Sequence, residues 1–222
     1  MPSHKIHLKI AQVINQNLHL DTDAIMLGSV LPDLTIEKNH ALSHYQVKGS
    51  YEDTLANPDK FIHEYKKQLQ NPIMLGYLIH LLTDRYYNNY FMKQHCLMNE
   101  SGKPYCVKRK NGTIKKTINI YKKSDFVKYD KWLLKHHLVG KFHDIKCVDA
   151  VTNLRVGKFD KDYLKQYILQ ANREVDVPKL YPIKTFLFYK VLYKKELDDL
   201  MDNCCQYIFN YIKDNLEEGN IL

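Results

Sequence analysis

Apolar positions recur at helical spacing along most of this chain, and one run among them is apolar on nearly every side. Residues 71–94 read NPIMLGYLIHLLTDRYYNNYFMKQ. Asn71 fits an N-cap and Pro72 the first helical turn, where a missing N–H costs nothing. Over residues 73–82 almost every position is apolar, which predicts a helix buried on most of its surface. His80 and Asp84, four residues apart, fall on one face of that helix, with Gly76 a turn earlier and Asn88 a turn later. A buried imidazole and a buried carboxylate are costly unless something pairs with them.

The rest of the pattern is also helical. Residues 3–18 form an amphipathic stripe through Ile6, Ile10, Val13 and Ile14, with Ser3 as N-cap and His7 facing inward; His4 lies at the fraying end. Asp21 or Thr22 caps a second helix over 24–30, which Pro32 stops, leaving Asp33 just beyond it. Residues 35–50 look irregular, although a short helix there would put His40 and His44 on one side. Asn57-Pro58-Asp59 opens a helix over 60–69. Around Asn111-Gly112 the alternation changes to period two, which predicts a basic β-hairpin at about 101–122, the only strand candidate. Ser124 caps a helix over 125–137, where Asp130, Leu134 and His137 align. A short helix at about 144–154, one over 159–174, a break at Pro178 and Pro182, and a closing helix over 189–216 complete the chain. The expectation is one all-α domain over 1–222 with a small hairpin excursion.

Composition agrees with that class: Gly (8) and Pro (7) are few, and the 45% hydrophobic and 26% charged content is ordinary for a globular protein. No apolar stretch approaches the roughly 18–20 residues of a membrane span, and the first residues lack the apolar core of a signal peptide, so a cytosolic protein is expected. The five cysteines include no CxxC pair, which disfavours a zinc ribbon or a disulfide framework and favours reduced thiols. Charge changes the picture more. Residues 101–141 hold twelve Lys or Arg against only Asp125 and Asp130, a local excess of +10, and the remainder of the chain sums to −2. Such a segment suits nucleic acid, anionic lipid or a phosphorylated substrate, or is simply a solvated basic face.

Five polar residues stand in apolar or tightly turned settings: His7, Asp33, His44, His80 and Asp84. Three imidazoles and two carboxylates suit zinc or a similar transition metal. Taken singly, His7 fits a packed histidine, and His80 with Asp84 fits a buried hydrogen-bonded pair equally well. Their order carries more. A start of Met-Pro-Ser with His7 and Ala11, then Leu-Gly-Ser-Val-Leu-Pro-Asp ending at Asp33, then Ser-His-Tyr at His44, then Leu-Gly-Tyr-Leu-Ile-His-Leu-Leu-Thr-Asp ending at Asp84, resembles the zinc-dependent phospholipase C family and its relatives among the fungal single-strand nucleases. The resemblance spans roughly residues 1–95.

It implies an all-helical fold around zinc. By position, His44, His80, Asp84 and Asp33 would hold the principal ion, and Asp84 would be shared with a neighbouring ion bound by His7. Gly76 would leave room beside the metal, and Asp33 would orient or deprotonate water as the catalytic residue. Asn88 stands where family members often carry a histidine, a later His-x-x-x-Glu is missing, and the chain begins Met1-Pro2, so one or two ions are expected, with three left open. Asp125 or Asp130 would fill a missing ligand position; the plainer reading of Asp125 is a first-turn carboxylate favoured by the helix dipole. His4 and His40 are weaker extras.

The expected function is therefore metal-dependent hydrolysis of phosphoric esters, acting on a phosphorylated small molecule or a lipid headgroup. The rival is a catalytically degenerate, metal-stabilised helical protein that binds an anionic partner through residues 101–141. A different helical metal phosphohydrolase is disfavoured because the only adjacent His-Asp, His143-Asp144, lies outside any expected buried helix.

Overall fold

The apolar run does form the central element. In the computed structural model, which describes residues 2–47, 55–151, 154–177 and 189–216, a 24-residue helix spans Pro72–His95, with the Asn71 side chain accepting from the Ile73 N–H at 2.9 Å. In chain order the helices are α1 (His4–Leu18), α2 (Thr22–Gly28), α3 (His40–Ser43), α4 (Pro58–Tyr65), α5 (Pro72–His95), α6 (Ile118–Lys135), α7 (Cys147–Val151), α8 (Lys161–Asp176) and α9 (Lys194–Leu216). Strands β1 (Cys96–Met98), β2 (Pro104–Lys108) and β3 (Ile114–Lys115) form one antiparallel sheet in that order. The fold is predominantly all-α with this small β excursion.

Helix α5 is buried along most of its length because α1, α2, α4 and α9 all pack on it. Buried side chains from Ile6 in α1 to Ile212 in α9 make one continuous hydrophobic cluster. The tightest approach is at Gly28 and Gly76. A Cβ on Gly28 would lie 2.1 Å from the Ile73 carbonyl oxygen, and one on Gly76 would lie 2.2 Å from the Ile25 carbonyl oxygen. Backbone therefore meets backbone where α2 crosses α5, and Gly76 makes room for a helix rather than for an ion.

Several expected boundaries move, each for a local reason. Helix α2 starts at Thr22, capped by Asp21, whose carboxylate accepts from the Ala24 N–H at 3.0 Å. It ends at Gly28, and Pro32 opens a separate 3-10 turn, Leu31–Leu34, that carries Asp33. The expected hairpin is present, with Gly112 at φ 78 in its turn, but it gains a third strand because the chain leaves α5 directly into β1, with Cys96 opposite Val107. Helix α6 begins at Ile118, so Ser124 caps nothing and Asp125 is not in the first turn. His137 lies beyond the end of α6, exposed and at φ 53, and so does not share a face with Asp130. The closing helix starts at Lys194 rather than Tyr189. The expected break at Pro178 and Pro182 lies outside the described residues. Among those residues, no helix is long and apolar enough to cross a membrane.

Candidate metal centre

Four separate elements deliver the five side chains to one buried place. Helix α1 supplies His7, the 3-10 turn after α2 supplies Asp33, the residue after α3 is His44, and α5 supplies both His80 and Asp84. His7, His44, His80 and Asp84 are buried, whereas the Asp33 side chain keeps 14% exposure. The His7 and His80 rings stack at 3.9 Å between centroids, and His44 meets His80 edge-on at 5.0 Å. Donor atoms of His44, His80 and Asp84 lie within 4.8 Å of one another, as do those of His7, Asp33 and His80.

The second nitrogen of each ring decides what the first can do. His80 Nδ1 lies 2.8 Å from the Ser29 carbonyl oxygen, and a carbonyl only accepts, so the proton is on Nδ1 and Nε2 presents a lone pair. His44 Nδ1 lies 3.1 Å from the His40 carbonyl oxygen and 3.0 Å from the Ser43 hydroxyl; donation to the carbonyl leaves a lone pair on Nε2. Those two Nε2 atoms are 3.0 Å apart. Asp84 Oδ2 is 3.2 Å from His44 Nε2 and 3.8 Å from His80 Nε2. His80 Nε2 and Asp84 Oδ2 have no proton to give, and with His44 donating through Nδ1 all three facing atoms offer lone pairs, an arrangement that a cation would stabilise.

The other half of the cluster repeats the theme. Both ring nitrogens of His7 and Asp84 Oδ1 are buried without a hydrogen-bond partner, with His7 Nε2 3.4 Å from Asp84 Oδ1. Asp84 therefore turns one oxygen to His44 and His80 and the other to His7. Asp33 reaches toward His44 with Oδ1 at 3.6 Å and toward His4 with Oδ2 at 3.4 Å. The donor set fits a transition metal: imidazoles and carboxylates together, two of the rings within reach of backbone carbonyls, and orphaned donor atoms beside them.

Electrostatics point the same way. Burial, followed by the neighbouring His7 ring, pushes His80 down to about 3, so it is neutral at physiological pH, the form in which an imidazole can bind a metal. Burial and His44 push His40 down to about 4. Burial alone would raise Asp84, but the His44 and His7 rings beside its two oxygens hold it well below the ordinary carboxylate range. Burial likewise acts upward on Asp33, and the contacts with the histidines around it, His4 foremost, outweigh it and keep Asp33 ionised.

The additional candidates go elsewhere. The Asn88 amide oxygen accepts from Lys122 Nζ at 2.6 Å. Asp125 is fully buried, and its two oxygens accept from the backbone N–H groups of Lys190, Val191 and Leu192 at 2.7 to 3.1 Å, which commits it to the segment entering α9. Asp130 joins neither donor group; its Oδ1 has no partner, and burial pushes it up to about 6. The weaker extras come closer than expected, since His4 pairs with Asp33 and the His40 ring stacks on His44 at 3.6 Å.

A cavity of about 780 Å³ opens over the cluster, with Asp33, Asp84 and His40 in its floor and Ser3, Lys5, Asn88, Lys122, Asp130 and Tyr167 among its walls. Lys122 was not singled out by the sequence, although it lies on the apolar stripe of Phe126 and Tyr129, where a lysine is out of place. It also divides the basic segment. Lys108 and Lys115 are exposed on the sheet and Lys103 in the turn before β2, Lys110 sits 3.6 Å over the Tyr193 ring, Lys128 approaches Asp125 at 3.4 Å, and Lys122 is buried in the cavity wall. Comparison with known proteins adds no relative: no family model matches the chain, and neither does any curated protein or solved structure.

Proposed function

We propose that the protein is a zinc-dependent hydrolase of phosphoric esters, similar in its site to the zinc-dependent phospholipases C. The observation that carries this reading is the approach of His44 Nε2 to His80 Nε2 at 3.0 Å beside Asp84, with each Nδ1 within hydrogen-bond reach of a backbone carbonyl. His44, His80, Asp84 and Asp33 would hold the principal ion, and His7 with the second Asp84 oxygen would hold another. When bound, zinc supplies Lewis acidity, polarising a phosphoryl oxygen and making water more acidic. Asp33 is the one carboxylate of the set that keeps exposure to the cavity, and His4 beside it keeps it ionised. Its role is to accept a proton from the water that attacks phosphorus. His80 stays a neutral donor, and the surrounding apolar packing excludes bulk water from it and from His7. Five unpaired cysteines support a reducing, cytosolic setting.

The test is elemental analysis of the purified protein together with release of phosphate or phosphorylated headgroups from a panel of phosphoric esters. Bound zinc near one or two equivalents, with hydrolysis abolished in Asp33→Asn, is expected. Metal-free protein whose heat stability is unchanged by His80→Ala would overturn the reading. A second reading is favoured by the engagement of Asn88 with Lys122: a metal-stabilised protein that binds an anion without turning it over. Zinc with anion binding but no hydrolysis across the panel would select it.

A further inference from the structure

We infer that Lys122 is a phosphate-binding residue, a fixed cation in the cavity wall that receives an oxygen of a phosphate group presented to the His44–His80–Asp84 cluster. This rests on the proposed function and names the recognition element that the metal ligands lack.

A lysine ammonium has three donors. Lys122 is buried, and among the described residues its ammonium is hydrogen-bonded to one acceptor, the neutral amide oxygen of Asn88 at 2.6 Å; no described carboxylate forms an ion pair with it. The Phe91 ring, with its centroid 5.9 Å from Nζ, closes one side. A buried charge left with a neutral partner is costly, and a ligand anion removes that cost. The placement is specific. Asn88 follows Asp84 by one turn of α5, so the ammonium is anchored about 6 Å along the helix axis from the cluster. Lys122, Asn88, Asp84 and Asp33 line the same cavity. A tetrahedral oxyanion can direct one oxygen toward the cluster and another toward Lys122 across that interval.

The other charges of the cavity offset this one only in part: Asp84, one turn from Asn88 on α5, acts on Lys122 through space without pairing with it. Lys5 is already paired with Glu174 at 2.9 Å, and Asp130 lies on the side of Ser3, Lys5 and Tyr167. Lys123 and Asn119, both exposed, extend the donor surface from Lys122 toward the rim. Phosphate, whether free or part of a lipid headgroup, is the chemistry that this surface fits. A compact point charge with spare donors suits phosphate without demanding the planar fork of arginine.

The experiment uses the full chain, metal content measured first, and two probes: inorganic phosphate by calorimetry, and phosphatidylcholine vesicles with and without phosphatidic acid by sedimentation. Lys122→Met removes the charge at similar volume. Asn88→Asp keeps the lysine but gives it a carboxylate partner that competes with the ligand. Both variants are expected to weaken binding by about 10- to 100-fold, the loss of one charge-assisted hydrogen bond, with zinc content unchanged. Loss confined to the calorimetric arm assigns soluble phosphates, and loss in the phosphatidic acid arm assigns a lipid phosphate. Equal binding by the wild type and Asn88→Asp, or no binding by the wild type to either probe, overturns the inference. Wild-type protein without zinc but with Lys122-dependent binding overturns the proposed function and leaves the inference standing, because the charge of the lysine does not depend on metal.

Discussion

Gly28 and Gly76 are in backbone contact: a Cβ on either would come within 2.9 Å of the Cα of the other. That contact seats Ser29, the residue after α2, so that its carbonyl accepts from His80 Nδ1 and selects the tautomer of the ring. One close helix crossing therefore reaches the candidate metal centre. Gly76→Ala is expected to cost about 2–3 kcal/mol or more, since the methyl would meet the Ile25 carbonyl rather than a flexible side chain. Urea unfolding checks the stability, and zinc titration should show weaker affinity in the same variant.

Ligand removal should separate metal binding from folding. Anything that binds only the folded state raises its stability, by about 4 kcal/mol at a thousandfold excess over Kd. Zinc should raise the Tm of metal-stripped wild type and give little or no rise in His80→Ala or Asp84→Asn. Equal rises in all three would show that zinc binds elsewhere.

The buried histidines set an acid limit. His80 and His40 are held below their ordinary value, so between pH 6.5 and their folded values the unfolded chain binds more protons than the native one. Stability is then complete above about pH 6.5, the ordinary histidine value, and falls as pH falls. Metal-stripped protein should lose stability between pH 7 and pH 5, and His80→Gln should show a shallower decline over that range. A pH-independent wild type would contradict this.

Asp130 carries the opposite sign. Its folded value is raised to about 6 by burial, so its contribution is present below the ordinary carboxylate value and is lost as pH rises through 6. Asp130→Asn should therefore be stabilised relative to wild type at pH 7 and gain little at pH 4. Thermal melts of both proteins at the two values decide it.

Asp125 gathers the N–H groups of Lys190, Val191 and Leu192 and belongs to none of the His/Asp donor groups among the described residues. Asp125→Ala strands three donors at the entry to α9 and should cost about 3 kcal/mol, with zinc content unchanged. Loss of zinc at retained stability would return Asp125 to the ligand set.

The sequence by itself determined the central helix, its cap and the presence of buried polar residues on it, because an apolar run interrupted by His80 and Asp84 has few other meanings. It also placed His7 inward and the hairpin at Asn111-Gly112, both through local periodicity. Boundaries such as the start of α6 were less legible: no local signal stops a helix from extending back to Ile118, and Ser124 looks like a cap until the preceding turn is seen to be helical. What only the tertiary structure decided is where each polar group finds its partner. Asp125 meets backbone from a segment 65 residues away, Asn88 meets Lys122 across 34, and Gly76 meets α2. Helical spacing describes one element at a time, and these contacts are made between elements. The gathering of His7, Asp33, His44, His80 and Asp84 is of that kind too: the order of short motifs suggested them as a set, and packing of α1, the turn after α2 and the end of α3 against α5 brought them into overlapping groups of three.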